Sequence, residues 1–172
     1  SWTKNSVTLS SYFVVSPNGE QNASELTTSG TTPYIGHTPT IIQGNTYTLG
    51  CFVKKGTSRW VRLTNGSSSV TGAWFDLENG VVGSRSASSL SSSIESYGDN
   101  WYKIQNTVIG QTNNNTLLGL SDADGGTTTT QTGNTVYFWG FQVEEGSYAT
   151  SYIPTRGQSA TRAKDTASID LI

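Results

Sequence analysis

The sequence predicts an all-β domain, a two-sheet antiparallel β-sandwich of the jelly-roll kind. Three observations carry that expectation. Apolar runs of about four to eight residues are separated by clusters of Gly, Ser, Thr and Asn, the spacing of strands and turns rather than of helices. Met is absent and hydrophobic residues make up only 33%, yet five Trp, eight Tyr and five Phe supply enough apolar surface for an aromatic-rich core. Charged residues are only 13%, too few for a coiled coil or a charged disordered tail. With 172 residues the chain reads as a single domain over 1–172, residues 165–172 forming a tail or a linker to a further domain.

Taken in order, SVTLSSYFVV reads as an opening strand, Val7 to Val15, that ends in the turn SPNGE. A polar stretch from Asn22 to Glu25 leads to Thr27 and the Gly/Thr/Pro loop TTSGTTPYIGHTP. From Asn45 the alternation is strong: Tyr47, Leu49, Cys51 and Val53 on one face, Thr48, Gly50, Phe52 and Lys54 on the other. The turn KKGT, the strand Ser58 to Leu63, the turn NGSSS, the strand Gly72 to Leu77 and the turn ENG follow. SRSASSLSSS, Ser84 to Ser93, reads as a low-complexity loop. Strands at Trp101 to Val108, Thr116 to Leu120 and Thr135 to Glu144 complete the set, with no convincing helix.

Several function classes are disfavoured by composition. A formal net charge of −2 leaves no basic excess to neutralise phosphates, so nucleic acid is not an expected partner. No stretch has the apolar length of a membrane span, and SWTKNSVTLS is not a signal peptide. Cys51, the one cysteine, reads as a small core residue in an apolar run. His37, the one histidine, lies in the turn-rich GHTPT, away from any strand-turn-helix setting for a catalytic triad.

Function enters with the alternation of faces. In RWVRL, Val61 and Leu63 oppose Trp60 and Arg62; in AWFDL, Ala73, Phe75 and Leu77 oppose Trp74 and Asp76. With the aliphatic sets inside, Trp60, Arg62, Trp74 and Asp76 are expected on the outward surface, joined by Phe52 and Lys54. In the last strand Tyr137, Trp139, Phe141 and Val143 form the apolar set, with Phe138, Gln142 and Glu144 opposite. Outward tryptophans beside fork-shaped polar groups suit a pyranose, whose C–H face stacks on an aromatic plane while its hydroxyl rim pairs with Asp, Arg or Gln. Trp60 and Trp74 are the candidate platforms, Arg62, Asp76 and Gln142 the candidate hydroxyl partners, and Trp101 a candidate wall. The plainer alternative is that one Trp, or both, packs under a neighbouring loop as a minor core.

The segments GNTYTLGCFVKKGTSRWVRL, AWFDLENGVVGS, YGDNWYKI and, most specifically, WGFQVEEGSYATSYIPTRGQSATRAKD resemble a carbohydrate-binding-module-like jelly-roll domain of bacteriophage tail and structural proteins, over about Trp2 to Asp165. The resemblance implies a sandwich akin to the galactose-binding-like superfamily, non-catalytic binding of a polysaccharide or cell-surface glycan, and a place in a larger viral or secreted protein, in a virion or outside the cell. It also implies that Trp60, Arg62, Trp74 and Asp76 lie near the family's concave face.

Many such modules carry a structural calcium, held partly by a carboxylate ahead of the first strand and one in the last. Here the sequence starts at Ser1, directly before Trp2, so an upstream partner is expected to be missing or cut away. Asp165, in RAKD, is the remaining candidate, though a solvated or salt-bridged aspartate is the plainer reading. Asp122 and Asp124 in SDADGG begin like a calcium loop, but no glutamate follows at the required distance, and the segment reads as a turn. No cofactor is required, and a structural Ca2+ is allowed. The tail TSYIPTRGQSATRAKD, with Pro154, Arg156, Arg162 and Lys164, reads as a closing strap. The sequons at Asn22, Asn65 and Asn114 are expected by chance in so Asn- and Ser-rich a chain. Two rival functions remain. Asp76 and Glu78 beside Trp74 form a conceivable glycosidase pair, which would need carboxyls about 5–9 Å apart and one raised pKa; alternatively the domain is a virion spacer that binds no sugar.

Overall fold

The computed structural model describes residues 2–111 and 115–152. Among these residues twelve strands form two six-stranded antiparallel sheets packed face to face. In chain order they are β1 (Thr3–Asn5), β2 (Val7–Val14), β3 (Ala23–Thr28), β4 (Tyr34–His37), β5 (Thr46–Lys55), β6 (Trp60–Asn65), β7 (Ala73–Asp76), β8 (Val81–Arg85), β9 (Ser89–Ser96), β10 (Trp101–Ile109), β11 (Thr116–Ser121) and β12 (Thr135–Glu145). One sheet has the order β1-β4-β11-β6-β7-β8, the other β2-β3-β12-β5-β10-β9. The chain crosses repeatedly between the sheets, as in a jelly roll. Among the described residues the only helix is a single turn, α1 (Ser68–Thr71), in the β6–β7 connection.

The period-2 pattern places the core. Leu49, Cys51 and Val53 of β5 face Val61, Leu63, Phe75, Leu118 and Leu120 of the opposite sheet, all at or near zero exposure. Burial pushes the Cys51 thiol far above its ordinary value, which keeps it protonated and inert. Among the buried polar side chains, that of Asn106 bridges the two layers. Asn106 of β10, wholly buried, donates to the carbonyls of Leu63 and Thr71 at 2.8 Å each and accepts from the Ser89 hydroxyl at 2.6 Å.

Three expectations need correction. The Gly/Thr/Pro loop contains β4, paired with β1 and β11, and the polar stretch before it is β3. The low-complexity Ser run is largely strand: β9 is an edge strand whose backbone pairs with β10 despite a polar sequence. The apolar set assigned to the last strand is split. Gly140, at φ +64°, forms a β-bulge that shifts register between Trp139 and Gln142. Phe138 therefore points inward before the bulge and Phe141 and Val143 after it, while Tyr137 and Trp139 lie outward against Phe52.

Candidate functional site

The outer face of the first sheet is organised by a row of cross-strand neighbours. Tyr34 of β4 lies opposite Gly119 of β11, Gly119 opposite Arg62 of β6, and Arg62 opposite Trp74 of β7. Gly119 is what lets this row close up. A Cβ there would stand 2.4 Å from Arg62 Nε and 2.9 Å from its Cζ, so the guanidinium lies flat over the β11 backbone, toward Tyr34. Beside it opens a cavity of about 470 Å3, lined by Tyr34, Arg62, Leu117, Gln111 and Asn115 with the turn at Gly66. Two hydrogen bonds hold the walls in place: Gln111 N donates to Asn65 Oδ1 at 2.9 Å, and Gly66 N donates to the Asn115 carbonyl at 2.8 Å.

Arg62 is the unusual member. It is 3% exposed, its Nη1 donates to Ser68 Oγ at 2.6 Å, and among the described residues its Nε has no partner. Among the described residues no carboxylate reaches it. Burial pulls its pKa down to about 10, opposed only by the nearby Tyr34, so it remains a cation at neutral pH. Asn115 Oδ1 is likewise buried, with no partner among the described residues.

The tryptophan platform takes a different form from the one expected. Trp60 and Trp74 do lie on the outer face, but Trp74 is 4% exposed, its Nε1 donating to the Gly126 carbonyl at 2.6 Å beneath the loop after β11. That loop is tied down by its aspartates: Asp124 accepts from Ser84 N at 2.7 Å and Oγ at 2.9 Å, and Asp122 from Thr130 N at 2.6 Å and Oγ1 at 2.8 Å. Trp60 is half-buried near Asp124, over Gly83, with the Arg59 guanidinium 5.5 Å from its ring. Trp74 packs under a neighbouring loop, as the plainer alternative had it for one Trp or both, because an outward position in a strand is not an open one when a loop folds back across it.

Asp76 is buried too, at 2%. It accepts from Arg59 Nε and Nη2 at 3.0 and 2.7 Å, from Glu78 N at 2.9 Å and from Asn79 Nδ2 at 2.8 Å, closing the β7–β8 turn. These donors, Arg59 first, hold its pKa below the ordinary carboxylate value, the reverse of what a general acid needs. Glu78, the other half of the conceivable pair, is bonded to Lys55. Trp101 and Gln142 belong to the other sheet and do not join Trp60 and Trp74. Trp101, 2% exposed, packs with Phe52 and Ala23, and Gln142 Nε2 donates to the Thr150 carbonyl at 3.1 Å.

Of the predicted site residues, the cavity thus gathers Arg62 alone. Sequence patterning does not reach Tyr34, Gln111 or Asn115: Tyr34 stands in a segment that reads as a loop, and the amides in stretches without strand patterning. A second aromatic group was missed as well. On the outer face of the other sheet Phe13, half-exposed, stacks on Tyr137 at 6.1 Å, and Trp139 packs against Phe52 and Tyr152 at 5.4 and 4.6 Å.

Among the described residues no group of three or more His, Cys, Asp or Glu is placed to hold a metal ion. Asp165, Pro154, Arg156, Arg162, Lys164 and Asn114 lie outside the described residues. His37 ends β4 with its ring 5.6 Å from that of Trp2. No described helix is long and apolar enough to cross a membrane. Compared with known proteins, the chain matches no family model and no curated protein sequence.

Proposed function

We propose that the protein is a non-catalytic carbohydrate-binding module whose ligand sits in the cavity between Tyr34 and Arg62 instead of on a Trp60–Trp74 platform. The observation that carries this reading is the lining. One half-buried phenol ring, a planar guanidinium and two side-chain amides converge on a space of about 470 Å3, within the range of about 300–1,000 Å3 usual for small-molecule sites. A pyranose needs that mixture, an aromatic surface for its C–H face and forked donors and acceptors for its hydroxyls. The paired backbone around Gly66 and Gln111 keeps the walls in place before a ligand arrives, which lowers the cost of binding. The sandwich and the resemblance to phage carbohydrate-binding-module-like domains support the same reading, with a glycan partner met by a virion or in an extracellular protein.

Affinity electrophoresis through gels containing a panel of polysaccharides tests it. The protein is expected to be retarded in at least one gel, with Tyr34→Ala and Gln111→Ala reducing the retardation and no reducing ends released. Unchanged migration in every gel would leave the spacer, and sustained release of sugar would leave the enzyme.

A further inference from the structure

A guanidinium taken out of water without a carboxylate is costly, and the cost is offset only when an anion completes it. Arg62 is in that position, and it lines the cavity. It is buried, and among the described residues its Nε is unpaired, its one hydrogen bond is to a neutral hydroxyl, and no acidic side chain approaches it. Gly119 holds open the space in which the planar fork lies, so the orientation is built into two adjacent strands rather than left to a flexible surface side chain.

We propose that the sugar bound in this cavity carries a carboxylate, a uronic acid residue of an acidic polysaccharide, paired to the guanidinium of Arg62. The inference rests on the carbohydrate-binding reading above and names its substrate class. A guanidinium fork matches a planar carboxylate through two parallel N–H···O bonds. One cation suits one singly charged group. Gln111 and Asn115, with an unpaired buried Oδ1 on the latter, then meet the ring hydroxyls, and the Tyr34 ring meets the C–H face. A net charge of −2 provides no long-range attraction for a polyanion, so recognition depends on this local pair.

The test is calorimetric titration of the full chain with oligomers of galacturonate, glucuronate-containing glycans and alginate, each beside its methyl ester and beside a sulfated oligomer of a sugar that carries no carboxylate. At least one acidic oligomer is expected to bind at least tenfold more tightly than its ester and than the sulfated control. Arg62→Met is expected to lose that preference while melting no lower than the wild type, since it removes an unpaired buried charge. Gly119→Ala, which displaces the guanidinium without deleting it, is expected to lose the same preference. Equal binding of acid and ester, or tighter binding of the sulfated oligomer, overturns the inference and leaves the carbohydrate-binding reading standing. So does a melting temperature that falls by several degrees in Arg62→Met, or acid preference that survives both variants. Binding of none of these oligomers overturns the inference, and unchanged migration in every polysaccharide gel as well overturns both.

Discussion

Asp76 shows how one carboxylate can stop a turn from opening. Its two oxygens accept from Arg59, Glu78 N and Asn79, while its own carbonyl accepts from Gly80 N at 2.9 Å, so both the strand end and the turn are held by one residue. Because the folded-state pKa is lowered, the folded protein holds this proton less tightly than the unfolded chain does. The carboxylate therefore contributes fully above its ordinary value of about 4, and the contribution is lost as pH falls through the lower folded value. Asp76→Asn is expected to cost about 2 kcal/mol at pH 7, typical of hydrogen bonds to a charged group, and the deficit should shrink toward pH 2. Urea titrations of both proteins across that range check it; a constant difference between the two would show that the charge is not what holds the turn.

At the scale of the element, β12 carries the lesson of what alternation can and cannot show. Tyr137, Trp139, Phe141 and Val143 recur with perfect period 2, and a single inserted residue sends the first two outward and the last two inward. The signal was Gly140, the only residue in that run with a left-handed backbone. The strands β5, β6, β7 and β10 were legible because their inward residues are mostly apolar on an uninterrupted period. β4 and β9 were not, because a Gly- and Pro-flanked segment and a Ser-rich one become strands only through the neighbours that pair with them. Gly140→Ala puts a Cβ on a backbone at φ +64° and 3.2 Å from the Phe52 ring, and is expected to cost about 1–2 kcal/mol. Chemical denaturation measures this, and an unchanged midpoint would mean that the bulge is not left-handed at this residue.

For the whole molecule, the sandwich itself was readable from strand spacing, whereas the order of strands within each sheet was not. That order decides which candidates meet. Arg62 and Tyr34 lie 28 residues apart in sequence yet come within one strand of each other, while Trp101 and Gln142 went to the opposite sheet. The loop closing over Trp74 was equally invisible, since nothing local in SDADGG says which strand its aspartates will bind. The two sheets are then joined by more than apolar contact. Asn106 reaches from β10 to the Leu63 carbonyl on β6 and the Thr71 carbonyl at the end of α1, while holding Ser89 on β9, so one amide couples three strands and both layers. Asn106→Leu keeps a similar volume but strips partners from three groups in a site with no access to solvent. We expect a loss of about 2–4 kcal/mol, the penalty of leaving buried polar atoms unpaired rather than of losing a contact. Equilibrium unfolding in urea gives the number. A variant within about 0.5 kcal/mol of the wild type would mean that the layers are held by hydrophobic contact alone, because surface-like tolerance at a wholly buried amide is incompatible with a bridging role.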